Sequence, residues 1–522
     1  LAYMVSAGNQ AVLGQEDFLE FFVDDPLVRA IGLHIEGLQD ILRFECAALK
    51  ALSKGIPVVV LKTGSSTIGS ELTISHTGSL SGSAELYEAL FARTGIISVS
   101  NPSQFLETLK FLCVVGAPKS KHLVGFTCSG GGATMLADYA EQIGLSFLPV
   151  DPMQETELAN LLPKIATVSN PLDYTTPIWG QADLTYPVFS KAILAIESDS
   201  AVLVQDYPAP GLDNSKVFYQ RDAIAFAKAT QEQGLPAAIC ATIPENMDVE
   251  TRQLLISKGV APMQGIHETL NAISASAEWL QTRQRILLDT PEPLSLNLQG
   301  GQQVMVSEPD GKAWLAANDF AVPRGKVVSG QKLGAVANEL GYPLALKMVS
   351  PYLAHKTEAG AVVLNLSDSG SVIRASIKMR ADVNSYNPQA VTDQFLLENM
   401  SPKPLAELIV TLRRDPQFGV ALVLGSGGIL VELVGDAVTL LLPISPHEIT
   451  GALKKLRVAG LLEGFRGRPT ADLEKISIQI HRLCTTYLKH QNEIAEIEIN
   501  PLFVYSNRVC AVDVLVHKFV RT

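Results

Sequence analysis

Short β-branched runs alternate with longer stretches of helical periodicity through the first two thirds of the chain, and this rhythm constrains the fold more than any other feature. Ile56–Lys62, Ile96–Ser100, Leu123–Thr127, Ala201–Gln205 and Pro236–Thr242 read as buried parallel strands. Between them, Ser103–Leu112 and Ala133–Ile143 carry apolar residues three and four apart. Such alternation predicts doubly wound α/β domains whose ligands sit at the carboxyl ends of the strands. Breaks at Gly116–Lys121 and at the Pro/Gly/Gln/Ser-rich stretch Leu287–Pro309 divide the chain. The expected pieces are 1–116, 120–285 and 305–522, with 286–304 as a linker. The last piece reads as α+β, with a helix-poor middle, a Gly-rich turn and a hairpin-like end.

Composition narrows the partners. A chain of 522 residues exceeds what one core usually supports, and 47% hydrophobic content supplies ample surface to bury. No run of about 18 uncharged apolar residues occurs, so no membrane span is expected. A net charge of −12 without a Lys/Arg cluster argues against nucleic acid or anionic lipid as the main partner. The six cysteines lie far apart with no CxxC pair, which suits a reducing cytoplasm and neither a disulfide framework nor a zinc site. No signal peptide is visible in the residues after Leu1, and the natural N-terminus is expected to lie further upstream.

Several segments carry chemistry. Ser75-His76-Thr77-Gly78-Ser79-Leu80-Ser81-Gly82-Ser83 sits between a strand and a helix expected around Ala84–Arg93. Small residues around one imidazole let amides and hydroxyls crowd a phosphate carried on it. Neutral imidazole is a competent nucleophile near pH ~7, and its N–P bond is labile enough to pass the group on. A Gly/Ser-rich turn with an idle histidine is the bland alternative, and the flanking pattern disfavours it. Ser129-Gly130-Gly131-Gly132 follows a strand and opens a helix, offering N–H donors and the positive end of the helix dipole to an anion. Alone it is a weak signal, since any tight strand-to-helix turn favours glycine.

In the third piece, Lys347 lies in the apolar strand Leu346-Lys347-Met348, placed to meet a nucleotide phosphate; the commoner fate of such a lysine is a snorkelling surface charge. His355 in His355-Lys356-Thr357-Glu358-Ala359-Gly360 is a second candidate phosphate carrier. Glu398, Glu407 and Glu432, the last closing Gly425–Glu432, are acids that singly would more often be solvated. Asn500 and Asp513, an amide and a carboxylate expected on neighbouring strands, suit Mg²⁺, which takes few protein ligands beside nucleotide phosphates. No GxxxxGK[ST], HExxH or GxGxxG occurs.

Together these residues resemble the NDP-forming acyl-CoA synthetases, the superfamily of succinyl-CoA synthetase and ADP-forming acetate–CoA ligase. The resemblance covers essentially the whole chain. It implies two flavodoxin-like domains followed by an ATP-grasp domain, and the reaction acid + CoA + ATP → acyl-CoA + ADP + phosphate. Ser75–Gly78 looks like the phosphohistidine motif, with Glu36 as the acid that supports His76. Ser129, Gly130, Gly131 and Gly132 look like the helix N-terminus that holds phosphate, and Asn170-Pro171-Leu172-Asp173 matches a motif of the same domain. Lys347 matches the phosphate-binding lysine and His355 the relay histidine of the acetate–CoA ligase branch. Glu398 and Glu407 match the adenine hinge and ribose region, Glu432 joins the ATP-binding set, and Asn500 with Asp513 matches the Mg²⁺ pair. The implied ligands are ATP/ADP, CoA, Mg²⁺ and a small carboxylic acid, in a homo-oligomer or paired with a CoA-binding chain or segment.

The chain also departs from the pattern. Members normally begin with a Rossmann-like CoA-binding domain and then a glycine-containing turn that gives the other phosphate-binding helix. Here Ser6-Ala7-Gly8-Asn9 looks like the short motif just after that helix, so the first flavodoxin-like domain is expected to be incomplete. Ser79 and Ser81 replace the usual alanines, and Asp206-Tyr207-Pro208 and Trp179 are unusual. Two other classes compete: a non-catalytic, acyl-CoA-sensing module of a protein acetyltransferase, and an ATP-grasp ligase working without phosphohistidine. Retention of both His76 and His355 counts against the first. The second leaves the α/β domains and the His76 motif without a role.

Overall fold

The computed structural model describes residues 1–64, 84–209, 211–296, 301–353, 356–427 and 435–520. The chain forms two compact units, one of residues 1–84 with 91–290 and one of residues 85–90 with 291–522.

The first unit is built on parallel strands. β1 (Ile31–Ile35), β2 (Val58–Lys62) and β3 (Ile97–Val99) form one sheet in that order. β4 (Leu123–Thr127), β5 (Leu172–Asp173), β6 (Ser200–Val204), β7 (Ala237–Ala241) and β8 (Ala261–Gln264) form a second, in the order β5-β4-β6-β7-β8. Counted from β4, that is the 2-1-3-4-5 order of flavodoxin-like folds, which places the topological switch point between β4 and β6.

Alternation along each strand feeds two cores. Val124, Phe126, Ala201, Leu203 and Ile239 pack with the helices Ala182–Ala195 and Lys216–Glu232. Leu123, Val202, Val204, Ala238 and Cys240 pack against the helices Gly130–Ile143 and Ile266–Leu288. Both faces are covered, so these strands are apolar throughout, as buried parallel strands are. The same long helix supplies Trp279 and Ile286 to the core of the first sheet, beside Leu52, Val59 and Ile97, which ties the two halves into one unit.

The second unit is antiparallel. β9 (Gln303–Val306), β14 (Ala406–Asp415), β15 (Gly419–Ser426), β16 (Ala437–Leu441), β17 (Ile494–Val504), β18 (Val509–Ala511) and β19 (Val514–Phe519) make the larger sheet. β10 (Gly325–Ser329), β11 (Leu344–Met348), β12 (Val362–Leu366) and β13 (Gln394–Asn399) make the smaller one, ordered β10-β13-β11-β12. Ile449, Leu453, Ile476, Ile480 and Leu483 from two helices cover the larger sheet.

The helix-poor middle expected for this piece is corrected by the 18-residue helix Ser369–Tyr386. It buries only Val372, Ser376, Met379 and Val383, a stripe too narrow and too polar to stand out in the sequence, and it starts from an Asp368 capping box.

Candidate functional site

The dominant polar feature of the second unit is a buried cluster of three lysines and three carboxylates. Glu308 and Lys312 come from the first turns of the helix Glu308–Ala317, whose N-terminus is capped by Ser307. Lys347 comes from β11, and Glu398 from β13, diagonally across the ladder, because Ala345 pairs with Glu398 and Lys347 with Leu396. Asp513 sits between β18 and β19, and Lys356 follows β11.

Lys347 Nζ lies 2.5 Å from Glu308 and 3.4 Å from Glu398, and donates to the Val512 carbonyl at 3.0 Å. Lys312 Nζ donates to both oxygens of Glu398, at 2.6 and 2.8 Å, and reaches Glu308 at 2.8 Å. Lys356 Nζ bridges Glu308 at 2.7 Å and Asp513 at 2.9 Å. The side chains of Glu308, Lys312, Lys347 and Glu398 are at most 5% exposed, whereas Asp513 keeps 28% of its side chain accessible.

Burial pushes the Glu308 carboxyl up, but the ammonium groups of Lys347, Lys312 and Lys356 outweigh it and hold the group well below the usual carboxylate range. Burial pulls Lys347 down, and Glu308, Asp513 and Glu398 more than reverse it, so this lysine stays charged at any working pH. The arrangement is a desolvated set in which three ammonium groups balance three carboxylates.

Of the expected residues, Glu398 belongs to the cluster and is engaged there by Lys312 and Lys347, and others lie elsewhere in this unit. Glu407 lies at the start of β14, where its carbonyl accepts from Gly427 N–H at 2.6 Å, and its side chain is outside the cluster. Asn500 is exposed on β17, and its backbone N–H donates to the Asp513 carbonyl at 3.3 Å. The two residues are therefore backbone neighbours across the strands, one an exposed amide and the other a partly accessible carboxylate. Hard oxygen donors of these kinds fit a hydrated Mg²⁺ shared with phosphates. Among the described residues, no group of three or more His, Cys, Asp and Glu side chains could hold a metal by itself. His355 and Glu432 lie outside the described residues.

In the first unit, Ser129–Gly132 lies at the carboxyl end of β4, beside the switch point. Ser129 is the N-cap of the helix Gly130–Ile143 and makes no side-chain capping bond. A Cβ on Gly130 would stand 3.6 Å from the Asp173 carboxylate, so an acid from the end of β5 neighbours this turn. A Cβ on Gly132 would come within 2.6 Å of Thr127 Oγ1. Thr127 is buried and its hydroxyl accepts from Ser129 N–H at 3.2 Å, so it has little room to yield. Gly132→Ala is expected to cost about 1–3 kcal/mol, read as a lower urea midpoint, and a Thr127→Ala background should recover part of it. An unchanged midpoint would show that the turn is slack.

Asn170 ties this sheet together from inside, because its side chain accepts from Gly125 N–H and donates to the carbonyls of Leu123 and Leu148. The unusual Trp179 and Tyr207 converge on Tyr219, with ring centroids 4.7 and 5.7 Å away. Asp206 is fixed by the Thr242 backbone N–H and hydroxyl and by the Asn246 amide at 2.8–3.0 Å.

Glu36 stands just past β1, with Lys62 at the matching end of β2. Burial lowers Lys62, and the Glu36 charge opposes that. His76 lies outside the described residues. Glu308, Lys312 and Lys356 are the members of the charge cluster that sequence reasoning did not assign. The signal available was a capped helix start with Glu and Lys four residues apart.

Residues 297–517 match the ATP-grasp domain family, and residues 1–112 match the succinyl-CoA ligase like flavodoxin domain family. The chain is 29% identical to acetate–CoA ligase (ADP-forming) I of Archaeoglobus fulgidus, over 98% of this chain and 73% of that one. It is 32% identical to the beta subunit of acetate–CoA ligase (ADP-forming) I of Pyrococcus furiosus, over 40% of this chain and 88% of the subunit. With the alpha subunit of that enzyme it shares 36% identity over 35% of this chain and 38% of the subunit.

Proposed function

This chain belongs to the NDP-forming acyl-CoA synthetase superfamily, and we propose that it joins a carboxylic acid to CoA at the expense of ATP, with histidine carrying the phosphate between nucleotide and acid. The observation that carries this proposal is the buried lysine–carboxylate cluster within the span matched to ATP-grasp domains.

Each step balances. An imidazole nitrogen attacks the γ-phosphorus of ATP, the bond to the bridging oxygen breaks, and ADP leaves. The acid's carboxylate oxygen then attacks the phosphohistidine, giving an acyl phosphate and free imidazole. CoA thiolate attacks the acyl carbon and phosphate departs. A covalent carrier keeps the phosphoryl group from water between stations.

Lys347 neutralises charge on the transferring phosphoryl group, and Glu308, with Glu398, fixes where that ammonium stands. Bound Mg²⁺ would supply further charge neutralisation, held by Asn500 and Asp513. We assign His355 as the first station and His76 as the second, with Glu36 orienting His76 and Ser129–Gly132 receiving the phosphate at the helix N-terminus. No helix among the described residues is long and apolar enough to cross a membrane, and all six cysteines are free. We place the reaction in the cytoplasm, in a homo-oligomer or together with a CoA-binding chain or segment.

Incubation with γ-³²P-ATP and Mg²⁺ is expected to give acid-labile, base-stable label on histidine, seen by phosphoamino-acid analysis. Label that survives acid, or that stays on serine alone, would sink the proposal.

A further inference from the structure

Lys356 carries no expected role from the sequence, yet its ammonium closes the accessible side of the cluster. Glu308 Oε2 lies 2.7 Å away and Asp513 Oδ1 2.9 Å away, while the other Asp513 oxygen is 3.3 Å from the same nitrogen. Both oxygens of the carboxylate read as a metal ligand are therefore within reach of one internal cation. Lys347 stands behind at 4.0 Å from Asp513 Oδ2, already committed to Glu308 and to the Val512 carbonyl.

Charges make the consequence definite. A divalent ion arriving at this carboxylate meets an ammonium that already spans both of its oxygens, at 2.9 and 3.3 Å, and like charges at that range repel, so the two compete for the position. Lys356 has somewhere to go: Glu308 is a second anchor, so the ammonium can leave Asp513 without becoming an unpaired, half-buried charge.

We propose that Lys356 is the resident counter-cation of Asp513, that a divalent ion must displace it to bind, and that Glu308 retains the displaced ammonium inside the cluster. The proposal rests on Asp513 being the metal ligand, and it adds a competition that sets the affinity for free metal. It also gives the site a reason to favour metal arriving with nucleotide, since the phosphates provide a new partner for the released ammonium.

The test is Mn²⁺ binding to the full chain without nucleotide, followed by the electron paramagnetic resonance signal of the free ion. Lys356→Gln is expected to bind Mn²⁺ about tenfold tighter than wild type, the scale set by losing one hydrogen-bonded charge pair. Lys356→Arg keeps the competing charge and is expected to stay within a few-fold of wild type. Asp513→Asn is expected to lose the site, with or without Lys356→Gln.

Equal affinity for Lys356→Gln and wild type, with Asp513→Asn still losing the site, overturns the competition and leaves the metal reading intact. The same tightening in Lys356→Arg also overturns it. Asp513→Asn binding like wild type overturns the metal reading, and the competition falls with it.

Discussion

Lys347→Met is expected to slow ATP-dependent phosphorylation of the chain by about 10²–10³-fold, the usual consequence of deleting one preorganised group that meets developing charge. The same change should also cost about 3–5 kcal/mol of stability, because it strands a buried carboxylate. Lys312, Lys347 and Lys356 balance Glu308, Glu398 and Asp513 in the wild type, and the substitution leaves two ammonium groups against three acids. The two losses are separable. Lys347→Met combined with Glu308→Gln restores the balance at two against two, so urea unfolding should recover at least half of the lost stability. Phosphorylation should stay low in that double variant, since the ammonium proposed to meet the phosphate is still missing. A single variant as stable as wild type would mean that the cluster is open to water and its charges are screened. A double variant with restored labelling would mean that Lys347 acts only by holding the fold.

How much of this is legible in the sequence depends on what each residue shows locally. Buried parallel strands announce themselves, because both faces must be apolar: Leu123–Thr127 is expected and found at those bounds, and Ile96–Ser100 and Pro236–Thr242 differ from the structure only at their ends. β1 is less visible, since exposed Gly32 and His34 interrupt its apolar run. β5 has only two residues and β8 contains Pro262, so neither carries a pattern long enough to read.

In the cluster, Lys347 stands out because a lysine inside an apolar strand needs a reason. Glu308 and Lys312 do not, because Glu and Lys four residues apart on a helix look like a solvated surface pair. Only the pairing of β11 with β13 and the packing of this helix turn that pair into a buried one, and such long-range contacts leave no local mark. Lys356 is hidden for a different reason, standing next to a histidine whose chemistry is the louder signal.

Replacing the two histidines one at a time should separate two roles with all-or-none outcomes. His76→Ala is expected to keep label from γ-³²P-ATP, now trapped at His355 because its acceptor is gone. His355→Ala is expected to lose labelling by ATP, yet to take label on His76 from ³²P-acetyl phosphate, which enters from the acyl side. The asymmetry follows from where each residue falls in the chain. His355 immediately precedes Lys356, whose ammonium shares Glu308 with Lys347 in the second unit, so the nucleotide's phosphate and this imidazole are assigned to one site. His76 belongs to the segment between β2 and the helix Ala84–Thr94, after the strand ends where Glu36 and Lys62 stand. The proposed relay hands a phosphoryl group from one histidine to the other, and kcat is then expected to report that hand-over as much as the chemistry. Peptide mapping of the labelled chain reads the outcome directly. If His355→Ala is still fully labelled by ATP at His76, the transfer is direct, His355 is an ordinary loop histidine, and the relay is wrong.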